Sequence, residues 1–174
     1  MGEVTPDRKR PKLTAPTALT ASHDLSAFDC GIPALNDWLQ KRALQNESRF
    51  SRTYVVCDGE HVVAYFSISA GSVPRVVVPG KLRRNAPDSI PVAIIGRLAV
   101  SLNQAGRGLG SDLLSDALRR IAAASRTIGI AAVLIQAKDE RARAFYLRRA
   151  EFLEFPLGSR TLYLPIEVVL DALP

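Results

Sequence analysis

Gly106, Gly108 and Gly110, with Arg107 between the first two and Ser111 after the last, follow an apolar run over 92–100. Beyond them Leu109, Leu113, Leu114, Ala117, Leu118 and Ile121 recur at helical spacing. The apolar run reads as a buried strand, so the glycines occupy a strand-to-helix turn. Such a turn is an anion site: the first N–H groups of a helix have no intrahelical partner, the peptide dipoles add positive charge, and glycine lets a phosphate approach closely. Arg107 contributes a full charge. The spacing G-x-G-x-G-S is not the dinucleotide fingerprint, and it lacks the Gly-Lys-Ser/Thr ending of a nucleotide-triphosphate loop, which removes both readings. A glycine-rich turn that merely redirects the chain is the remaining alternative.

The elements that must position this turn are legible on both sides of it. Residues 1–11 are polar, charged and proline-bearing and are expected to form a disordered tail. Residues 12–20 could make a first strand, and a helix starts at Pro33, with Leu35, Trp38, Leu39 and Ala43 on one face, and ends near Gln45. Residues 52–58 and 61–72 are rich in β-branched and aromatic residues and flank Asp58-Gly59, which predicts an antiparallel hairpin. A long loop with Pro74, Pro79, Pro87 and Pro91 follows, then the central strand and helix. Residues 130–137 form another buried strand, 140–150 a helix, and 152–155 and 161–164 two short closing strands. The order predicts one domain over 12–174, an α/β fold with a mixed central sheet and helices on both faces.

The chain has 174 residues, 47% of them apolar, enough for one core. The longest uncharged runs are too short to span a bilayer and no signal peptide is evident, so a soluble cytoplasmic protein is expected. Cys30 and Cys57 are expected as reduced thiols. His23 and His61 have no second ligand nearby in sequence, and no metal site is expected. Lysine and arginine together number 23 against 17 acidic residues. Part of the excess is local: Arg75, Lys81, Arg83 and Arg84 share the long loop without an acid between them, which suits a polyanionic partner. A solvated surface is the alternative reading of that cluster.

The turn from Ala105 to Gly110 resembles the Q/R-x-x-G-x-G/A loop of the GNAT acetyltransferase superfamily, with Ala105 where Arg or Gln is usual and Gln104 one residue early. Ala144-Phe145-Tyr146, followed by Leu147 to Phe152, resembles its A-x-F-Y-x-x-x-G-F segment, with Ala150-Glu151-Phe152 in place of Gly-Phe. The stretches starting at Leu25, Pro33 and Ser51, and the ending Ser159-Arg-Thr-Leu-Tyr-Leu-Pro165, are similar to GNAT toxins of bacterial toxin–antitoxin modules.

The resemblance implies a GNAT fold in which the fourth and fifth strands splay apart and the pantetheine arm of acetyl-CoA lies in the gap. Its amides would pair with the backbone around Leu98, Ala99 and Val100. Ala105, Gly106, Arg107, Gly108, Leu109, Gly110 and Ser111 would hold the diphosphate, and Tyr146 would act as general acid toward the departing thiolate. The implied activity is acetylation of the amino group of aminoacyl-tRNA, which blocks translation, with Arg75, Lys81, Arg83 and Arg84 as tRNA contacts. A homodimer and a ribbon-helix-helix antitoxin are the implied partners.

No carboxylate or histidine stands out as a general base, although Glu60 or Asp139 could serve through water. An α-amine, with pKa about 8, is partly neutral at pH 7, whereas a lysine near 10.4 is almost wholly charged. That favours an α-amine acceptor. The alternatives are an acetyltransferase acting on a small amine or a protein N-terminus, and a non-catalytic acetyl-CoA-binding module.

Overall fold

The structure, a computed structural model, describes residues 12–155 and 159–173. The expected tail, 1–11, and most of the expected turn over 156–159 lie outside the described residues. In chain order the elements are β1 (Thr17–Ala18), α1 (Pro33–Lys41), α2 (Ala43–Asn46), β2 (Arg52–Asp58), β3 (His61–Pro74), α3 (Gly80–Arg83), β4 (Ser89–Val100), α4 (Leu109–Ser125), β5 (Ala132–Gln136), α5 (Glu140–Arg149), β6 (Leu153–Glu154), β7 (Thr161–Pro165) and α6 (Ile166–Ala172). The strands form one seven-stranded sheet in the order β1-β2-β3-β4-β5-β7-β6. Only the β4–β5 pair is parallel, which the crossover through α4 requires.

Helices cover both faces, as the alternation of the strands demands. On one face Val56, Ala64, Phe66, Ile95, Val133 and Ile135 meet Leu113, Leu114, Ala117 and Ile121 of α4 and Ile166 and Val169 of α6. On the other, Val55, Cys57 and Tyr65 meet Leu39 of α1 and Ala43 of α2, with Phe28 beneath them. Farther along that second face, Ile90, Val92, Ala132 and Tyr163 pack with Val78 and Leu82 from the loop between β3 and β4.

One residue reorganises β4. The pairing with β3 runs Ile68↔Ile95 and then Ser67↔Arg97, leaving Gly96 as a bulge. An extra residue reverses which face each later side chain meets. Ala93 and Ile95 point toward α4; beyond Gly96 it is Leu98 and Val100 that do so, while Ala99 turns to the α1 face. The same bulge marks the end of the β4–β5 ladder, which runs from Val92↔Ala132 to Ile95↔Ile135. From Gly96 onward β4 pairs with β3 alone, so the sheet opens where the splay was expected.

Three expectations need correction. The helix beginning at Pro33 does not run unbroken to Gln45: Arg42 leaves helical geometry at φ −125°, and α2 continues from there. The β3–β4 loop is shorter than its prolines suggest, because pairing extends to Val73↔Ile90 and Pro74↔Ser89. Pro74 and Pro91 both lie outside the β4–β5 ladder, where a missing N–H breaks no central bond. Finally, the chain does not close on the strand over 161–164 but continues into α6. Ile166, Val168 and Val169 are β-branched residues of high strand propensity, yet burying Ile166 and Val169 beside α4 selects the helix.

Candidate active site

The open edge of β4 is the first component of the site. Ser101 donates its N–H to the carbonyl of Val63 on β3 at 2.8 Å. An antiparallel ladder alternates its backbone groups between sides, so Ala99 and Arg97 also face β3, and Leu98 and Val100 turn theirs into the gap left by β5. A row of unpaired amides and carbonyls along such a gap can hold a ligand that itself carries amides.

The second component is the glycine turn. Gly106 and Gly108 have φ of +76° and +79°, backbone that favours glycine, and Gly108 is the N-cap of α4. Among the described residues no side chain caps that helix. Among the described residues the backbone N–H groups from Gly106 to Ser111 meet no carbonyl; the first bond of the helix is Asp112 N–H to the carbonyl of Gly108 at 3.2 Å. Ala105 is different, since its N–H is spent on Leu102 at 3.3 Å, so the open run begins at Gly106. A Cβ added at Gly106 or Gly108 meets nothing within 4 Å, which leaves the cradle accessible. Leu109 is buried in the core and anchors the turn by its side chain, leaving only its amide for a ligand. Arg107 is exposed, and its Nη1 donates to Oε1 of the buried Gln104 at 3.3 Å. Gln104 was noted in the sequence only as a displaced motif residue; its part in orienting Arg107 depends on the short 3-10 turn over Leu102–Gln104, which carries no sequence signal.

Tyr146 is the third component. Asp139 caps α5, accepting at Oδ1 from the N–H of Ala142 at 2.8 Å, and Arg143 of the same helix pairs with Glu154 on β6. Tyr146 then lies between Phe145, at 5.2 Å between ring centroids, and Phe152, at 6.0 Å. Ala150 is extended at φ −151°, so the extra residue before Phe152 is taken up in the turn and Phe152 still reaches the tyrosine. Burial pushes the Tyr146 phenol up to about 12, with no charge or hydrogen bond offsetting it.

Gly110 ties the three together. A Cβ placed there would lie 3.5 Å from Cζ of Phe145 and 3.9 Å from Cγ2 of Val100. The first turn of α4 therefore packs directly on the helix that carries Tyr146 and on the open end of β4. The arrangement suits a long anionic carrier: amides and Arg107 for its charged end, a strand edge for its middle, and a phenol on the adjoining helix.

The basic loop lies elsewhere. Arg75 is committed to the loop itself, its Nη2 lying 3.1 Å from Asp88 and its Nη1 donating to the Ala86 carbonyl at 3.2 Å. In α3, Leu82 packs inward while Lys81, Arg83 and the C-cap residue Arg84 are exposed, without ion pairs among the described residues. Roughly 23 Å of extended strand separates Ser89, at the loop, from Gly96, at the opening. Of the two carboxylates considered as bases, Asp139 is occupied as the cap of α5. Glu60 lies exposed in the β2–β3 turn.

The Acetyltransferase (GNAT) family profile matches residues 19–152. A tRNA-acetylating toxin of Mycobacterium tuberculosis (strain ATCC 25618 / H37Rv) is 43% identical over 135 residues, 77% of this chain and 81% of that protein. Among solved structures, AtaT complexed with acetyl-methionyl-tRNA superposes with a TM-score of 0.83 at 27% identity, covering 91% of this chain and 98% of the other. A tyrosine-to-phenylalanine mutant of AtaT, bound to the C-terminus of the antitoxin AtaR and acetyl-CoA, gives 0.76 at 27%, covering 90% and 95%. Glycine turn, opened sheet and buried tyrosine thus occur on a chain matched along most of its length, and that chain belongs to the GNAT acetyltransferase family.

Proposed function

We propose that residues 12–174 form one acetyl-CoA-dependent N-acetyltransferase domain whose acceptor is the amino group of aminoacyl-tRNA, making the protein a translation-blocking toxin. The observation that carries the reading is the close approach of Gly110 to both Phe145 and Val100, which supports a site joining the amide cradle to the open strand edge and to the helix that carries Tyr146. The name of the mycobacterial relative and the tRNA complex of AtaT support the acceptor class.

The residues fit the carrier. The N–H groups of Gly106, Gly108, Leu109, Gly110 and Ser111, with Arg107, take its diphosphate, and the backbone of Leu98 and Val100 takes the pantetheine amides, with Ala99 between them turned to the core. Ala105 contributes position rather than a donor. Bound acetyl-CoA supplies a thioester whose carbonyl carbon accepts the amine nitrogen and whose sulfur leaves carrying a proton. Tyr146 donates a hydrogen bond to that sulfur and passes it the proton, and the phenol is restored by the proton the amine gives up. A phenol pushed up to about 12 by burial is a poor donor to a thiolate whose thiol ordinarily ionises at about 8.5, but the same burial penalises the thiolate too, which narrows the difference. Lacking a strong base, the site relies on an amine already neutral near pH 7, as an α-amine partly is.

Lys81, Arg83 and Arg84 supply phosphate contacts for the acceptor stem, and Arg75 shapes the loop that presents them. The roughly 23 Å between loop and opening is a span that a nucleic acid bridges and a small amine does not. We further propose a homodimer neutralised by a ribbon-helix-helix antitoxin and acting in the cytoplasm, where charged tRNA is found; the antitoxin-bound AtaT supports the class of partner. No metal is assigned to the reaction. The test is incubation with labelled acetyl-CoA and total bacterial tRNA, charged or deacylated. Label is expected on charged tRNA alone; label on neither, with transfer to small amines instead, refutes the assignment.

A further inference from the structure

Arg97 is the one cation in the opened part of β4, and its setting is unusual. Its guanidinium lies 4.0 Å above the Trp38 ring of α1, and Trp38 in turn stacks on Tyr65 at 6.0 Å with 13° between the planes. Tyr65 is fixed from below: its hydroxyl donates to the Leu35 carbonyl at 2.8 Å, and its ring meets Phe28 edge-on at 5.5 Å. Arg97 is half-buried, and burial draws its guanidinium below its ordinary value. Among the described residues no carboxylate lies within ion-pair distance, and the side chain donates no hydrogen bond. A cation that gives up water without gaining an acceptor is costly unless a ligand supplies one.

The place of Arg97 says which ligand. The bulge at Gly96 turns it to the α1 face, while the glycine turn, Phe145 and Tyr146 pack on the α4 side of the sheet. The carrier's charged end is held on the α4 side, so an acceptor reaches the acyl carbon through the opposite mouth, beside Arg97 and the exposed Gly96. Resting on the acceptor class proposed above, we infer that Arg97, held flat on Trp38, binds the phosphodiester next to the terminal adenosine of the aminoacyl-tRNA and positions its amine at the opening. The planar fork matches a phosphate with two parallel N–H donors, which a lysine ammonium does not reproduce. The indole on one side excludes water and strengthens the attraction.

The experiment compares kcat/KM for charged tRNA with that for the matching aminoacyl ester of adenosine, which has no phosphodiester, in Arg97→Gln and Arg97→Lys. The preference for tRNA is expected to fall about ten- to a hundredfold in the glutamine variant and by a smaller factor in the lysine variant. The slope of log kcat/KM for tRNA against log salt should flatten by about 0.7 in the glutamine variant. An undiminished preference in both variants overturns the assignment, as does equal loss with both acceptors, which marks a purely structural role. Weakened acetyl-CoA binding by calorimetry would reassign Arg97 to the carrier and also overturn it. Wild-type protein that fails to modify charged tRNA sinks the functional reading itself, whereas wild-type transfer with an unaltered variant preference sinks only the role of Arg97.

Discussion

Replacing Tyr146 by phenylalanine separates chemistry from packing, because the two roles predict opposite changes. The ring contacts with Phe145 and Phe152 survive the substitution, and only the hydroxyl is lost. The Tyr146 side chain is largely buried and its hydroxyl makes no hydrogen bond among the described residues, so its removal should change the stability of the folded state by no more than about 0.5 kcal/mol. Turnover should fall by about one to three decades, roughly 1.4–4 kcal/mol of barrier, with acetyl-CoA affinity unchanged within twofold. Thermal unfolding, calorimetry with acetyl-CoA and initial rates on charged tRNA measure the three quantities. The raised phenol also fixes a pH dependence. The unfolded tyrosine ionises near 10 and the folded one near 12, so between those values the native state holds the extra proton and stability falls as pH rises. The contribution is complete below pH 10 and decays by about 2–3 kcal/mol by pH 12, and the phenylalanine variant should show a correspondingly shallower alkaline loss. Equal turnover in wild type and variant, or a clear drop in melting temperature with no kinetic effect, would refute the reasoning.

Other substitutions probe the remaining parts. Gly108→Ala forces a Cβ onto a φ of +79° and should lower stability by about 1 kcal/mol, with a larger loss of acetyl-CoA affinity; unaltered affinity would remove the turn from the binding site. Arg83→Glu with Arg84→Glu should abolish tRNA acetylation while calorimetry still registers acetyl-CoA, and undiminished tRNA labelling would exclude the loop. Asp139→Ala removes the cap of α5 at a cost of about 1 kcal/mol in chemical denaturation, since Ala142 loses its acceptor. If Asp139 were the general base, that variant would lose turnover out of proportion to stability.

Local patterns carried most of the fold. The strand over 92–100, the turn after it and the amphipathic helix from Leu109 each announce themselves by spacing, and the hairpin around Gly59 by its turn residues. What stayed hidden needed the folded sheet. The helical state of Ile166–Ala172 depends on a neighbour more than 40 residues earlier in the chain, α4, which overrides β-branched propensity. The basic cluster was legible as charge, but only the hydrogen bonds of Arg75 to Ala86 and its pairing with Asp88 separate the brace from the free cations. Arg97 carries no role in the sequence because it interrupts an apolar run, and the isolated Gly96 before it, although a bulge signal, does not say which face the next residue meets.

That single bulge makes the strand a phase-shifted element: its two ends keep opposite parity with respect to inside and outside. Deleting Gly96 would remove the bulge and set Ile95 and Arg97 opposite Ile68 and Ser67 in plain alternation, so Arg97 would keep the α1 face and Leu98 the α4 face. Deletion scanning along β4 should therefore find position 96 tolerated as far as side-chain facing is concerned, any loss of function tracing to the opening beside β5, whereas one further residue inserted after Arg97 should reverse the faces of Leu98 to Val100 and abolish it. The reading frame of the strand, more than the bulk of any side chain in it, is what keeps donor and acceptor on separate sides of one sheet.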